Sequence, residues 1–148
     1  MDISSASHIR LGRVCEAEAC AAILNDWIDA TSWMPRVHTH DGVAQYFEDV
    51  MFLQHDVFVL GRPINGFLVL SPEGLVMALY VTTPGCGIGS KLLTHAKTQR
   101  AHLHLWTFQQ NVDAQRFYKR QGFYEVRRTN GDNEEGLPDI LYEWTRAA

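Results

Sequence analysis

No apolar run in this sequence approaches the ~20 residues of a membrane-spanning helix, so no membrane span is expected. There is no surplus of positive charge either. The 13 Lys and Arg stand against 17 Asp and Glu, a formal net charge of -4, whereas a general nucleic-acid-binding surface needs the opposite sign. Cysteine is scarce: Cys15, Cys20 and Cys86 are odd in number and lack the spacing of a metal site. That argues against a disulfide framework and for free thiols in a reducing cytoplasm. The start, "MDISSASHIR", lacks the basic and apolar regions of a secretory signal. Internal repeats and low-complexity linkers are missing too. A chain of 148 residues can bury one core but not comfortably two, so a single domain over residues 1–148 is expected.

What is there alternates between strand and helix patterns. "HIRLGRV" reads as a first strand. "EAEACAAILNDWIDA" then sets Cys20, Ile23, Leu24, Trp27 and Ile28 on one helical stripe. "TSWMPRVHTH" is a loop. In "DGVAQYFEDVMFLQ", Asp41 is a fair cap, and Val43, Tyr46, Phe47, Val50 and Met51 form an apolar stripe. Three strands follow, "DVFVLG", "GFLVLS" and "LVMALYV", joined by turns that suit antiparallel hairpins. Ile88, Leu92, Leu93 and Ala96 mark a third helix, and "HLHLWTF" another strand. Asn111 opens a fourth helix that Gly122 stops. "FYEVRR" and "DILYEWT" end the pattern across an acidic loop. The order is β-α-α-β-β-β-α-β-α-β-β, with one parallel pairing expected in its middle strand–helix–strand passage.

Between "LVMALYV" and the third helix lies "TTPGCGIGS". Glycines at a helix N-terminus let the backbone turn sharply and approach a ligand. The free N–H groups and the helix dipole there attract anions. On the glycines alone, a phosphate site and a ligand-free tight turn are both open. One strand further on, Asn111, Ala114, Phe117, Tyr118, Gly122 and Phe123 follow the pattern N-x-x-A-x-x-F-Y-x-x-x-G-F. That pattern resembles the GNAT superfamily of acetyl-CoA-dependent N-acetyltransferases. The glycine stretch is similar to the same family's pyrophosphate loop, with Gly87 and Gly89 as its core.

The resemblance covers essentially the whole chain. It implies an α+β fold: a mixed, mostly antiparallel sheet of about seven strands with a splayed parallel central pair, flanked by about four helices. Pantetheine would lie between the splayed strands and pair with backbone at Leu79, Tyr80 and Val81. The N–H groups around Cys86, Gly87, Ile88, Gly89, Ser90 and Lys91 would take the pyrophosphate of acetyl-CoA. Asn111 would bond the pantetheine arm, or serve only as a helix cap. Two features depart from the family. Pro84 stands where Gln or Arg is usual and offers neither N–H nor charge. The link from Val81 to Gly87 is also about two residues short, judged by motif spacing. Lys91, His95, Lys119 and Arg120 are the nearby cations that would compensate, or are plain solvated helix residues.

Acetyl transfer needs a neutral amine, a polarised thioester carbonyl and a proton for the leaving thiolate. Tyr118 matches the family's usual acid; a tyrosine of pKa ~10 stays protonated at neutral pH. Without the motif it is one more aromatic on an apolar helix face. A backbone N–H near Leu79 would polarise the carbonyl. "LVMALYV" carries no carboxylate or histidine, so the base is sought elsewhere. Glu134, Glu135 and Asp139 lie in the last loop, which the family fold carries to the acceptor side. There they would hold a cationic amine, with Glu134 and Glu135 taking its proton through water; otherwise they form a solvated acidic turn. Trp33, Arg36 and His38 lie in the loop that would wall the acceptor pocket, and Arg36 suits an acceptor anion. Trp106, with Phe108, would line the slot; by default both are core or sheet-face residues. His38 and His40 hint at zinc, but no further ligand is spaced to join them, and no metal is expected. Cys86 lacks a His partner nearby and counts as a loop residue.

The expected activity is therefore direct transfer of acetyl from acetyl-CoA to a primary amine of a small molecule, with a peptide or protein amine as the alternative acceptor. Homodimerisation is a family-level expectation only. A non-catalytic acyl-CoA-binding module is the competing class. A dinucleotide enzyme using "GCGIGS" fits less well, because Ser90 replaces that fingerprint's last glycine and the early hairpins contradict a doubly wound sheet.

Overall fold

The computed structural model describes residues 8–147. The chain order is the one read from the sequence. Strand β1 (Ile9–Leu11) leads through a 3-10 turn into α1 (Ala17–Ala30). Helix α2 (His40–Tyr46) runs on through a π turn (Phe47–Met51) into the short α3 (Phe52–Gln54). Then come β2 (Asp56–Leu60), β3 (Gly66–Leu70), β4 (Val76–Val81), α4 (Ile88–Gln99), β5 (His102–Phe108), α5 (Val112–Arg120), β6 (Tyr124–Thr129) and β7 (Asp139–Thr145).

The strands form two antiparallel sheets, β1-β2-β3-β4 and β5-β7-β6. They meet at one parallel bridge, Leu75 to His104, where the His104 N–H donates to the Gly74 carbonyl at 3.0 Å. Only glycine fits at this apex: a Cβ on Gly74 would lie 2.4 Å from the His102 carbonyl oxygen. Beyond the bridge β4 and β5 part, and the gap between them opens toward their C-terminal ends.

The apolar periodicities explain the layers. In β3, Phe67 and Val69 face one way and Leu68 and Leu70 the other, and all four are fully buried, as a strand covered on both faces requires. One core, with Cys20, Phe47, Val59, Phe67 and Val69, lies under α1 and α2. The other, with Leu68, Leu92, Leu93, Leu103, Leu105, Ile140 and Tyr142, lies under α4 and α5. In β5 the alternation is clear: Leu103, Leu105 and Thr107 are buried, while His102 and Trp106 are exposed.

Two local expectations are corrected. The cap of α2 is Thr39, whose Oγ1 accepts the Gly42 N–H at 3.0 Å, not Asp41. The π turn also stretches the buried stripe to four-residue steps, Val43, Phe47 and Met51, and leaves Tyr46 exposed.

Candidate active site

Strand β4 is hydrogen-bonded along one edge only. Its Leu79, Tyr80 and Val81 pair with Leu68, Phe67 and Gly66 of β3. On the other edge no strand follows past the Leu75 bridge. Half-buried peptide groups are thus presented to the gap without a strand partner, a place where an extended molecule can add itself as a strand. Across the gap, the Thr107 Oγ1 of β5 is buried and has no hydrogen-bond partner.

At the open end of the gap the glycine turn runs into α4. Gly85 and Gly87 have φ of +83° and +78°, and a Cβ on either would meet nothing within 4 Å. Gly87 is the cap residue and no side chain caps the helix. The N–H groups of the first turn, at Ile88, Gly89 and Ser90, therefore have no intrahelical acceptor and carry the positive end of the helix dipole. Gly89 brings α4 against α5: a Cβ there would sit 3.4 Å from the Phe117 ring. Lys91 is exposed beside this turn. An open groove of about 470 Å³ lies between α4 and the start of β1, lined by His8, Ile9, Ser90, Lys91, Thr94 and His95. Cys86 is an exposed free thiol, whereas burial pushes the Cys20 thiol up to about 12 and keeps it inert.

Helix α5 brings two of the expected residues. Asn111 is the cap: its Oδ1 accepts the Ala114 N–H at 3.1 Å, so that oxygen is occupied. Tyr118 is 8% exposed, and its ring packs against Phe117 at 5.2 Å and Phe123 at 5.7 Å. Burial pushes the Tyr118 hydroxyl well above the usual tyrosine range, and the nearby Tyr80 adds to the shift. Tyr118 therefore stays protonated throughout neutral pH.

The mouth of the gap away from the glycine turn is built from side chains on α1, β4, β5 and two loops. An aromatic row crosses from β4 to β5. Tyr80 lies 5.3 Å from Trp27, Trp27 lies 5.8 Å from Trp33, and Trp33 lies 5.8 Å from Phe108. All four rings are half-buried. His38 Nε2 meets Glu134 Oε1 at 2.8 Å, tying the α1–α2 loop to the β6–β7 loop. Glu135, next in the chain, is half-buried. Its charge adds to the burial that pushes the Tyr80 hydroxyl up to about 12.

Three residues expected on the acceptor side have partners within the protein. The Arg36 guanidinium donates to Asn25 Oδ1 at 2.9 Å, Asp29 Oδ1 at 2.8 Å, and the His38 and Asn25 carbonyls. It staples the loop that carries Trp33. Asp139 is buried and accepts from Thr129 Oγ1 and from Asn133 Nδ2, so it shapes the acidic loop rather than facing an amine. Trp106 is turned to solvent beneath the Arg127 guanidinium, 5.0 Å from its ring; Phe108, two residues on, joins the row in its place. Trp27 and the ring of Tyr80 were not singled out for the acceptor side. In the sequence Trp27 is one more residue on an apolar helix stripe, and nothing local marks its position at the mouth of the gap.

Among the described residues no group of three His, Cys, Asp or Glu is placed to hold a metal. No helix among them is long and apolar enough to cross a membrane.

Comparison with known proteins adds four findings. The family description "Acetyltransferase (GNAT) domain" matches residues 53–125. The peptidyl-lysine N-acetyltransferase YiaC of Escherichia coli (strain K12) is 26% identical over 144 residues, covering 89% of this chain and 94% of that protein. Among solved structures, apo YjaB of Escherichia coli superimposes with a TM-score of 0.78 at 28% identity, covering 95% of this chain and 98% of YjaB. The yncA protein of Salmonella typhimurium, solved with acetyl-CoA, gives a TM-score of 0.72 at 18% identity, covering 96% and 95% of the two chains.

Proposed function

The chain belongs to the GNAT superfamily of acetyltransferases, and on that premise we propose that it transfers acetyl directly from acetyl-CoA to a primary amine in a ternary complex. One observation carries this reading: the free edge of β4 runs straight into an uncapped glycine turn. An extended arm and a pyrophosphate belong side by side in such a place. Leu79, Tyr80 and Val81 would pair with the pantetheine amides. Cys86 to Ser90 would donate backbone N–H groups to the phosphates, with Lys91 adding charge. Asn111, whose oxygen is held by its cap bond, has only its amide N–H groups to offer. The acetyl-CoA-bound yncA protein supports the same cosubstrate.

The chemistry follows from what lines the gap. Tyr118, kept neutral, gives its proton to the sulfur as the C–S bond breaks. A β4 backbone N–H polarises the carbonyl. Glu134 and Glu135 draw a cationic amine to the mouth of the gap, with Trp33 and His38 beside it. A small-molecule amine fits a mouth bridged by the His38–Glu134 contact. A peptidyl lysine is the second reading, favoured by the activity named for the YiaC relative. Free thiols at Cys15, Cys20 and Cys86 support a reducing cytoplasm as the setting.

The deciding experiment is thiol release from acetyl-CoA over a panel of small amines and lysine peptides. Acetylated product with matching thiol release supports the enzyme. A protein that is stabilised by acetyl-CoA yet releases no thiol with any amine is a binding module instead.

A further inference from the structure

One strand in from the gap, aromatic rings are packed away. Phe47 meets Phe67 of β3 edge-on at 5.5 Å, and the two are 1% and 0% exposed. Phe67 is the register partner of Tyr80 in β4, and at Tyr80 that burial ends. Tyr80, Trp27, Trp33 and Phe108 touch in an unbroken row, with ring centroids 5.3, 5.8 and 5.8 Å apart. All four nevertheless stay half-buried. A row of large rings left partly open at one place is a surface that an apolar group can cover.

The row has a definite position. Tyr80 is the last residue but one of β4, and Phe108 is the last of β5. These strands share no bridge beyond Leu75 and His104, so a row that joins their ends crosses the gap at its mouth. Trp27, in the last turn of α1, and Trp33, in the loop after it, carry the row across. Trp33 is the middle link, with Trp27 on one side and Phe108 on the other. The polar groups of the two loops set the charge. Glu134 of the β6–β7 loop is tied at 2.8 Å to His38, on the loop that carries Trp33. The Arg36 guanidinium of that loop is taken up by Asn25 and Asp29. An aromatic floor with carboxylates beside it suits a cation on an apolar body.

We propose, resting on the acetyl-transfer reading, that the row selects the acceptor as a primary amine on an unbranched apolar stem. The nitrogen enters the gap, and the methylenes lie along Trp33 and Phe108. The carboxylates of the β6–β7 loop draw the ammonium in from solution. Each methylene that leaves water for a ring face adds binding that persists into the transition state. A stem rich in hydroxyls, as in an aminosugar, brings polar groups that the rings cannot bond, and it is rejected. A lysine side chain is itself a primary amine on such a stem. The row thus states what a small alkylamine and a peptidyl lysine have in common, and Trp33 is the specificity-determining residue.

The test is thiol release with straight-chain amines from ethylamine to hexylamine, compared at equal concentrations of neutral amine. A parallel series of peptides replaces lysine by ornithine and by 2,4-diaminobutyrate. In the series the enzyme accepts, kcat/KM should rise at least about twofold per added methylene, full burial being worth about fourfold. Butylamine should exceed its ether analogue, 2-methoxyethylamine, by about tenfold. Trp33→Ala should flatten the series, and Trp33→Phe, which keeps a ring, should restore most of the slope. The KM for acetyl-CoA should stay put in both. A second readout does not depend on turnover: calorimetry on the complex with CoA should show hexylamine bound about tenfold more weakly by Trp33→Ala than by wild type. An active wild type whose rates ignore stem length overturns this proposal alone, and does so even where the alanine variant fails to fold. A steep series that survives Trp33→Ala in a folded variant overturns it too. A wild type that is stabilised by acetyl-CoA but acetylates no amine removes the transfer reading and the stem selection together.

Discussion

The two ends of the gap are built of different materials. At the end proposed for the cosubstrate the parts are backbone: the free edge of β4 and the bare N–H groups of the first turn of α4, with glycines keeping side chains away. At the end proposed for the acceptor they are side chains, held by contacts between distant loops: Trp33, His38, Glu134 and Glu135, with Arg36 and Asp139 bonded inside those loops. A backbone site tolerates many side-chain changes but not an added group in its cradle. A side-chain site responds to each substitution and to pH. Two ends made this way should be separable by mutation.

The largest effect is expected at the cradle. Gly89 lies in the first turn of α4, where an acidic side chain suits the helix dipole, and its Cβ would make an ordinary contact with Phe117. Gly89→Asp should therefore fold, yet lose the rise in Tm on adding acetyl-CoA, because like charges brought together cost several kcal/mol. A normal shift in this variant, and in Gly87→Asp, would place the phosphates elsewhere.

Next in size is Tyr118→Phe. The ring and its packing on Phe123 remain, so stability should change little. If the hydroxyl protonates the thiolate, kcat falls about 10²-fold while acetyl-CoA affinity stays put. A rate within about threefold of wild type, with chemistry shown to limit turnover, would return Tyr118 to the core.

Arg36→Ala should do less and act on the acceptor end alone. Its four hydrogen bonds hold the α1–α2 loop, so their loss should raise the acceptor KM about tenfold, ~1.4 kcal/mol, the scale of hydrogen bonds to a charged group. Weakened acetyl-CoA binding in a folded variant would break the division between the ends.

These expectations trace how much the sequence could say. The glycine turn and the Asn111 cap were legible because their parts are neighbours in the chain. "GCGIGS" opens one helix, and the Asn111-to-Phe123 pattern spans the next. Strand order was legible for the same local reason, through alternation and helical stripes. The acceptor end was not, since its key contact joins residues 96 positions apart. Arg36 and Asp139 were singled out for chemistry their residue types permit, but folding engages both with polar partners in their own loops. Trp27 looked like core because a helical stripe cannot say which of its members stands at the mouth of a gap. The π turn after α2 has no composition of its own to mark it.

The smallest effect separates the ends by pH. Bonds from His40 and Arg36 hold the Asp29 carboxylate below its ordinary range. A carboxylate so depressed favours the ordered loop above its unfolded pKa, and that support is lost as pH falls through the folded value. Tryptophan fluorescence from the Trp27–Trp33 pair should thus change as the pH falls below about 4. Fluorescence that does not respond below that pH would mean that Asp29 does not anchor the loop.

The central claim is that acetyl-CoA is held by the backbone of β4 and the glycine turn. Amide NMR of the labelled protein during titration with acetyl-CoA tests it most directly. The account predicts that the largest shifts fall on Leu79 to Val81 and on Cys86 to Ser90, with small changes at His38 and Glu134. Saturation with acetyl-CoA that leaves those two stretches unmoved, or that shifts mainly the two acceptor loops, would contradict it.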